Sequence, residues 1–156
     1  MKKFQHELNR VLEVFLIFLM TVLVLDVLWQ VFSRYLLSSP SSFTDELAGF
    51  LLIWVGVLGA AYVAGRKEHL AIDILIQKSP PARQRLLLYL IHSLIFLFAL
   101  SVMVCGGMVL MYTRFVLQVK SAALQLPLGY VYIVLPISGL IIMYYEALHI
   151  ISLKRS

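Results

Sequence analysis

Charged side chains are scarce in this sequence: Asp, Glu, Lys and Arg make up 13% of its 156 residues, against 62% hydrophobic residues. That balance excludes an ordinary soluble domain, in which about a quarter of residues are charged. Cysteine is nearly absent. The single Cys105 builds neither an internal disulfide nor a cysteine-based metal site, and reads as a small packing residue beside Gly106 and Gly107. The chain has no His-Glu-x-x-His, no Gly-x-Ser-x-Gly, no phosphate loop and no acid pair inside a hydrophobic run, which excludes the enzymes built on those motifs. Internal repeats and low-complexity stretches are also missing.

Four long apolar runs remain. Val14–Ser33 is interrupted only by Asp26, Leu47–Gly65 by nothing charged, and Leu86–Thr113 and Ser121–Tyr145 contain no Asp, Glu, Lys or Arg. Each exceeds the ~18 residues that separate a membrane span from a buried core helix. The nineteen residues of Leu47–Gly65 make a helix of roughly 28 Å, close to the ~30 Å of a bilayer core. The sequence therefore predicts an all-α integral membrane protein with four spans, over about 11–35, 44–65, 82–115 and 126–152, in a single domain. The start Met-Lys-Lys suits a signal peptide, but the run that follows is too long and contains Asp26, with no small-x-small site after it. It reads as an uncleaved first span.

The thirteen Lys and Arg set the direction. Three precede span one, five lie between spans two and three, and two follow span four; only Arg34, Arg114 and Lys120 lie in the other two loops. The positive-inside rule then places both termini in the cytoplasm. Leu70–Lys78 is apolar but flanked by charge. Lipid offers no partner for an open strand edge, so a short interfacial helix over about 67–78 is expected. Phe4, Leu8, Val11 and Leu12 suggest a similar amphipathic lead-in. Ser42 with Asp45 has capping-box spacing before span two, Ser79-Pro80-Pro81 reads as a helix start, and Pro136 predicts a kink in span four.

Polar residues within the spans are the candidates for chemistry or assembly. Asp26, Gln30 and Arg34 share one face of the first helix. An acid at membrane depth costs several kcal/mol unless buried and paired, so that face should meet protein, as a polar seam or as an ion site. Arg34, Asp45 and Glu46 fall at the outer surface, where an Arg34–Asp45 or Arg34–Glu46 pair would tie span one to span two. Gly56, Ala60 and Ala64 form a small-residue stripe, a contact face within this chain or with another. Trp54 lies too deep for simple interfacial anchoring; it packs between helices or its indole N–H meets a partner. His92 and His149 fall at similar depth, which allows a bis-His haem. A proton-coupled four-helix exporter using Glu13 is a further alternative, although Glu13 sits at the cytoplasmic edge near Arg10.

The order and spacing of several residues resemble a known family. Trp29-x-x-x-x-Arg34-Tyr35, then Thr44-Asp45-Glu46-Leu47, Trp54, Leu58-Gly59-Ala60-Ala61, Arg66 and His69-Leu70-x-Ile72-Asp73 are similar to the small membrane subunit, of the DctQ type, of TRAP (tripartite ATP-independent periplasmic) transporters. The resemblance covers nearly the whole chain. It implies an obligate partnership with a large multi-span permease that holds the substrate and sodium sites, and a periplasmic binding protein that delivers an organic acid such as a C4-dicarboxylate or sialic acid. It further implies an inner-membrane scaffold that is not an enzyme and carries no cofactor of its own. On this resemblance Glu46, Trp54, Gly59, Arg66, His69 and Asp73 are the family-like positions, given to helix packing and cytoplasmic-side anchoring and not to substrate coordination. Arg34, Arg114 and Lys120 are left to face the binding protein.

Overall fold

The computed structural model describes residues 2–36, 41–66 and 80–155. Helix α1 (Lys2–Leu36) and helix α2 (Ser42–Arg66) are followed by α3 (Pro81–Phe98), which continues through a π-helical segment, Ala99–Gly106, into α4 (Gly107–Val116). A short helix α5 (Leu128–Tyr132) precedes α6 (Val134–Arg155). Among the described residues, four stretches are long and apolar enough to cross a membrane: Gln5–Leu36, Ser42–Arg66, Arg83–Val116 and Leu128–Leu153. The lead-in around Leu8 and Leu12 is continuous with span one, so α1 reaches about 52 Å, longer than a bilayer core needs. The interfacial helix expected over 67–78, with His69 and Asp73, lies outside the described residues.

Local chemistry explains the helix ends. Ser41, one residue before the expected cap, starts α2: its Oγ accepts the Thr44 N–H at 3.4 Å and its carbonyl accepts the Thr44 hydroxyl at 3.0 Å, satisfying groups that the first turn leaves orphaned. Pro81 occupies the first turn of α3, with Pro80 at the cap, where a missing N–H costs nothing. At the end of α4, Gln118 N–H donates to the Phe115 carbonyl and Val119 N–H to that of Arg114. This is a Schellman closure, and Gln118 takes the left-handed conformation (φ 48°) usually given to glycine.

The helix around α5 and α6 is interrupted at Ile133, three residues before Pro136. Proline has no N–H for the Tyr132 carbonyl, and its ring crowds that carbonyl, so the helix opens there. Facing it is the π segment, a feature with no clear sequence signal beyond Gly106-Gly107. These two irregular stretches pack on each other through glycine. A Cβ on Gly107 would lie 2.9 Å from Leu135 Cβ and 3.1 Å from Pro136 Cδ; one on Gly139 would lie 2.8 Å from Met103 Cβ. Cys105 is exposed, not packed as expected, because the π segment turns Ala99 and Gly107 inward instead.

The helices pack in a row. α1 contacts α2, α2 contacts α6, and α6 contacts α3 and its π segment; α1 and α2 make no such contact with α3. Helix α5 fills the corner between α2, α4 and α6. One core cluster joins Leu12 and Leu19 of α1 to Leu58, Val134 and Tyr145. A second joins Ala61 and Ala64 of α2 to Ala99 and Ile142.

Candidate functional site

Polar groups gather at the two ends of the row, far from one another along the helices. At the end opposite the termini, Gln30 Nε2 donates to Asp45 Oδ1 at 2.6 Å, linking α1 to α2. Glu46 reaches the loop between α4 and α5. Its carboxylate accepts the successive backbone N–H groups of Ala122, Ala123 and Leu124 at 2.9, 2.9 and 2.8 Å, an anion in a backbone nest. That loop is closed behind the nest by Ser121 N–H to the Leu126 carbonyl and Leu128 N–H to that of Val119, both at 2.9 Å. The expected Arg34 pairs do not form: Asp45 and Glu46 are met by Gln30 and the loop amides, and Arg34 is exposed. Asp26 is buried as expected, and its Oδ2 has no hydrogen-bond partner among the described residues. Lys120 is exposed and Arg114 half-buried.

Removing the nest's anion should free the loop. Glu46→Ala is expected to bring amide exchange at Ala122–Leu124 to the rate of an unstructured peptide while exchange at Ile142–Tyr145 stays slow. Retained protection at 122–124 would show that the loop holds itself without Glu46.

At the termini end, Tyr145 is fully buried and its hydroxyl donates to Asn9 Oδ1 at 2.5 Å, tying α6 to α1. Gly65 makes room for this bond: a Cβ there would lie 2.5 Å from Asn9 Oδ1 and 2.8 Å from Tyr145 Cζ. Arg66 pairs with Glu13 at 3.5 Å and lies over the Tyr62 ring at 4.9 Å. Both members of the ion pair are about half exposed, where such pairs contribute little. Glu13 is thus an exposed partner for Arg66, not an enclosed carrier site. An open apolar groove of about 540 Å³ runs along α1 beside it, lined by Leu16, Met20, Val24 and Tyr62 among others.

His92 and Glu146 form the third connection at this end. His92 Nδ1 lies 2.5 Å from Glu146 Oε2, and the His149 ring meets that of His92 edge-on at 5.1 Å between centroids. In this arrangement the two rings are in edge contact and leave no slot between them for a porphyrin. The depth of both histidines was legible in the sequence. Glu146 was not, because it ends the uncharged run Ser121–Tyr145 and passes for an interfacial residue.

Mid-membrane, Trp54 both packs and bonds. Its Nε1 donates to the Val131 carbonyl at 3.0 Å, beside the interruption at Ile133, and its ring meets Phe15 at 6.3 Å. The small-residue stripe divides. Ala64 faces inward with Ala61, whereas Gly56 and Ala60 are exposed. A Cβ added to Gly49, Gly56 or Gly59 would meet nothing within 4 Å. One side of α2 therefore presents bare backbone away from this chain.

Comparison with known proteins supplies the context. Residues 23–155 match the family described as tripartite ATP-independent periplasmic transporters, DctQ component. The chain belongs to the DctQ family. It is 27% identical over 144 residues, 91% of this chain and 86% of the relative, to a putative TRAP transporter small permease protein of Haemophilus influenzae. It is 30% identical over 80 residues, 51% of this chain and 46% of the relative, to the sialic acid TRAP transporter small permease protein SiaQ of Vibrio cholerae. A 51-residue stretch, 33% of this chain, is 37% identical to part of the sialic acid TRAP transporter permease protein SiaT of Haemophilus influenzae, of which it covers 8%. This DctQ chain is accordingly a multi-pass membrane component of a transporter and not an enzyme.

Proposed function

We propose that this chain is the scaffold subunit of a sodium-driven, binding-protein-dependent transporter for an organic acid of the C4-dicarboxylate or sialic acid type. It sits in the bacterial inner membrane with both termini in the cytoplasm and supports a large permease that holds substrate and sodium. Transport asks no cofactor of this subunit. The DctQ match over residues 23–155 carries the reading. Three observations support it. The grooves along α1 beside Leu16 and Phe18 are open and mostly apolar. The backbone face around Gly56 is open to a neighbour. Ten of the thirteen Lys and Arg fall before span one, between spans two and three or after span four in the sequence.

The test is reconstitution. The chain alone, the chain with a large TRAP permease subunit from the same organism, and both with a soluble binding protein are placed in liposomes under an inward sodium gradient. Uptake of labelled dicarboxylate or sialic acid is expected only with all three. Proton-coupled flux from this chain alone would reinstate the autonomous carrier, and full uptake without this chain would end the scaffold reading.

A further inference from the structure

The three side chains at the termini end of α3 and α6 have a chemistry that scaffolding does not need. Glu146 and His149 stand at i and i+3 on α6, the Glu-x-x-His spacing that puts a carboxylate and an imidazole on one helix face, with a facing helix supplying the remaining donors in metal-binding bundles. Here α3 supplies His92. One donor atom from each of the three lies within 4.8 Å of the others. Glu146 is fully buried, His149 is 4% exposed and the His92 side chain 14%.

We propose that His92, Glu146 and His149 bind one divalent transition-metal ion of the zinc class, which clasps α3 to α6. The observation that separates this from a plain hydrogen bond is Glu146 Oε1, which is buried and has no hydrogen-bond partner among the described residues. A buried carboxylate oxygen left bare is costly, and more so at membrane depth. A cation between the carboxylate and the two imidazoles satisfies it. Donors around a tetrahedral zinc ion stand roughly 3.4 Å apart, given zinc–ligand bonds of about 2.0–2.1 Å. Binding opens the 2.5 Å His92–Glu146 separation and draws the donor atoms, all within 4.8 Å of one another, to that spacing. On binding, neutral His92 turns the Nδ1 lone pair to the ion and carries its hydrogen on Nε2. Two imidazoles and one carboxylate suit Zn²⁺, Co²⁺ or Fe²⁺ and disfavour Na⁺, Mg²⁺ and Ca²⁺, which prefer all-oxygen sites.

The full chain, with any affinity tag removed and after chelator treatment in detergent, is titrated with Co²⁺. Expected are one Co²⁺ per chain, visible bands of a four- or five-coordinate ion, and their loss when Zn²⁺ is added. His92→Ala and His149→Ala each weaken binding by about tenfold or more, while His6→Ala and His69→Ala leave it unchanged. Glu146→Gln keeps the side-chain volume and is checked for helicity. In the unsubstituted chain Zn²⁺ is also expected to raise the melting temperature, a readout that needs no variant to fold. A Co²⁺ spectrum equal to that of the aqueous ion, bands that survive loss of both His92 and His149, or a melting temperature indifferent to Zn²⁺ would each overturn the site.

Discussion

Gly139→Val is expected to lower the melting temperature of the purified chain by roughly 6–12 °C, the consequence of about 3 kcal/mol of overpacking in a chain of this size. The new Cβ would stand 2.8 Å from Met103 Cβ, 2.9 Å from Val104 Cγ2 and 3.2 Å from the Val104 backbone nitrogen. The last of these cannot rotate away, so the π segment itself must move. Gly107 meets Leu135 and Pro136 from the opposite helix in the same way, which leaves the contact no slack on either side. Bilayers supply little hydrophobic drive between helices, so close packing at small residues carries a larger share of the association. Thermal unfolding in detergent reads the effect directly, and an unchanged melting temperature would mean that the π segment and α6 are not seated on each other as described.

Gly56→Leu is expected to do the reverse. The position is exposed and a Cβ there meets nothing within 4 Å, so the variant should fold and melt as the parent does. If the bare side of α2 receives the large permease, however, a leucine there holds two backbones apart. Co-purified permease should fall by about tenfold or more, since even 1.4 kcal/mol of lost contact has that effect. The parent melting temperature with normal permease recovery would assign this face to lipid and move the interface elsewhere. Gly139→Val serves as the comparison, because there loss of the partner follows from loss of the fold.

Much of this architecture was legible from hydropathy alone, because lipid forces every backbone group to be satisfied within a helix and so makes length and apolarity decisive. Details that depend on helix phase were not. Gly56, Ala60 and Ala64 do recur at four-residue spacing, but one residue is about 100° of turn on a helix. The core therefore took Ala61 with Ala64 and left Gly56 and Ala60 outside. Pairings across long separations were also hidden. Glu46 could be placed at the membrane surface, yet its partners are backbone amides more than seventy residues on, and amides carry no signature in a sequence. Arg34 was the obvious mate by charge and lost to geometry. For Trp54 the sequence allows packing or bonding, and the side chain does both, donating to the Val131 carbonyl next to the helix interruption. The π segment had only the Gly106-Gly107 pair to announce it. For Glu146 the obstacle was different: using charge to mark where a span ends conceals an acid that is buried just inside that end.

Four helices side by side also have a mechanical meaning. With neighbours about 8–10 Å apart, the row is roughly 24–30 Å broad, nearly as wide as the hydrocarbon layer is thick. A single helix can tip in the membrane at small cost, but a plate of this breadth must lift one edge and sink the other, dragging apolar side chains toward water at both. Beside the large permease proposed as its partner, such a plate would act as an outrigger, resisting the rocking to which an unbraced protein in the bilayer is open.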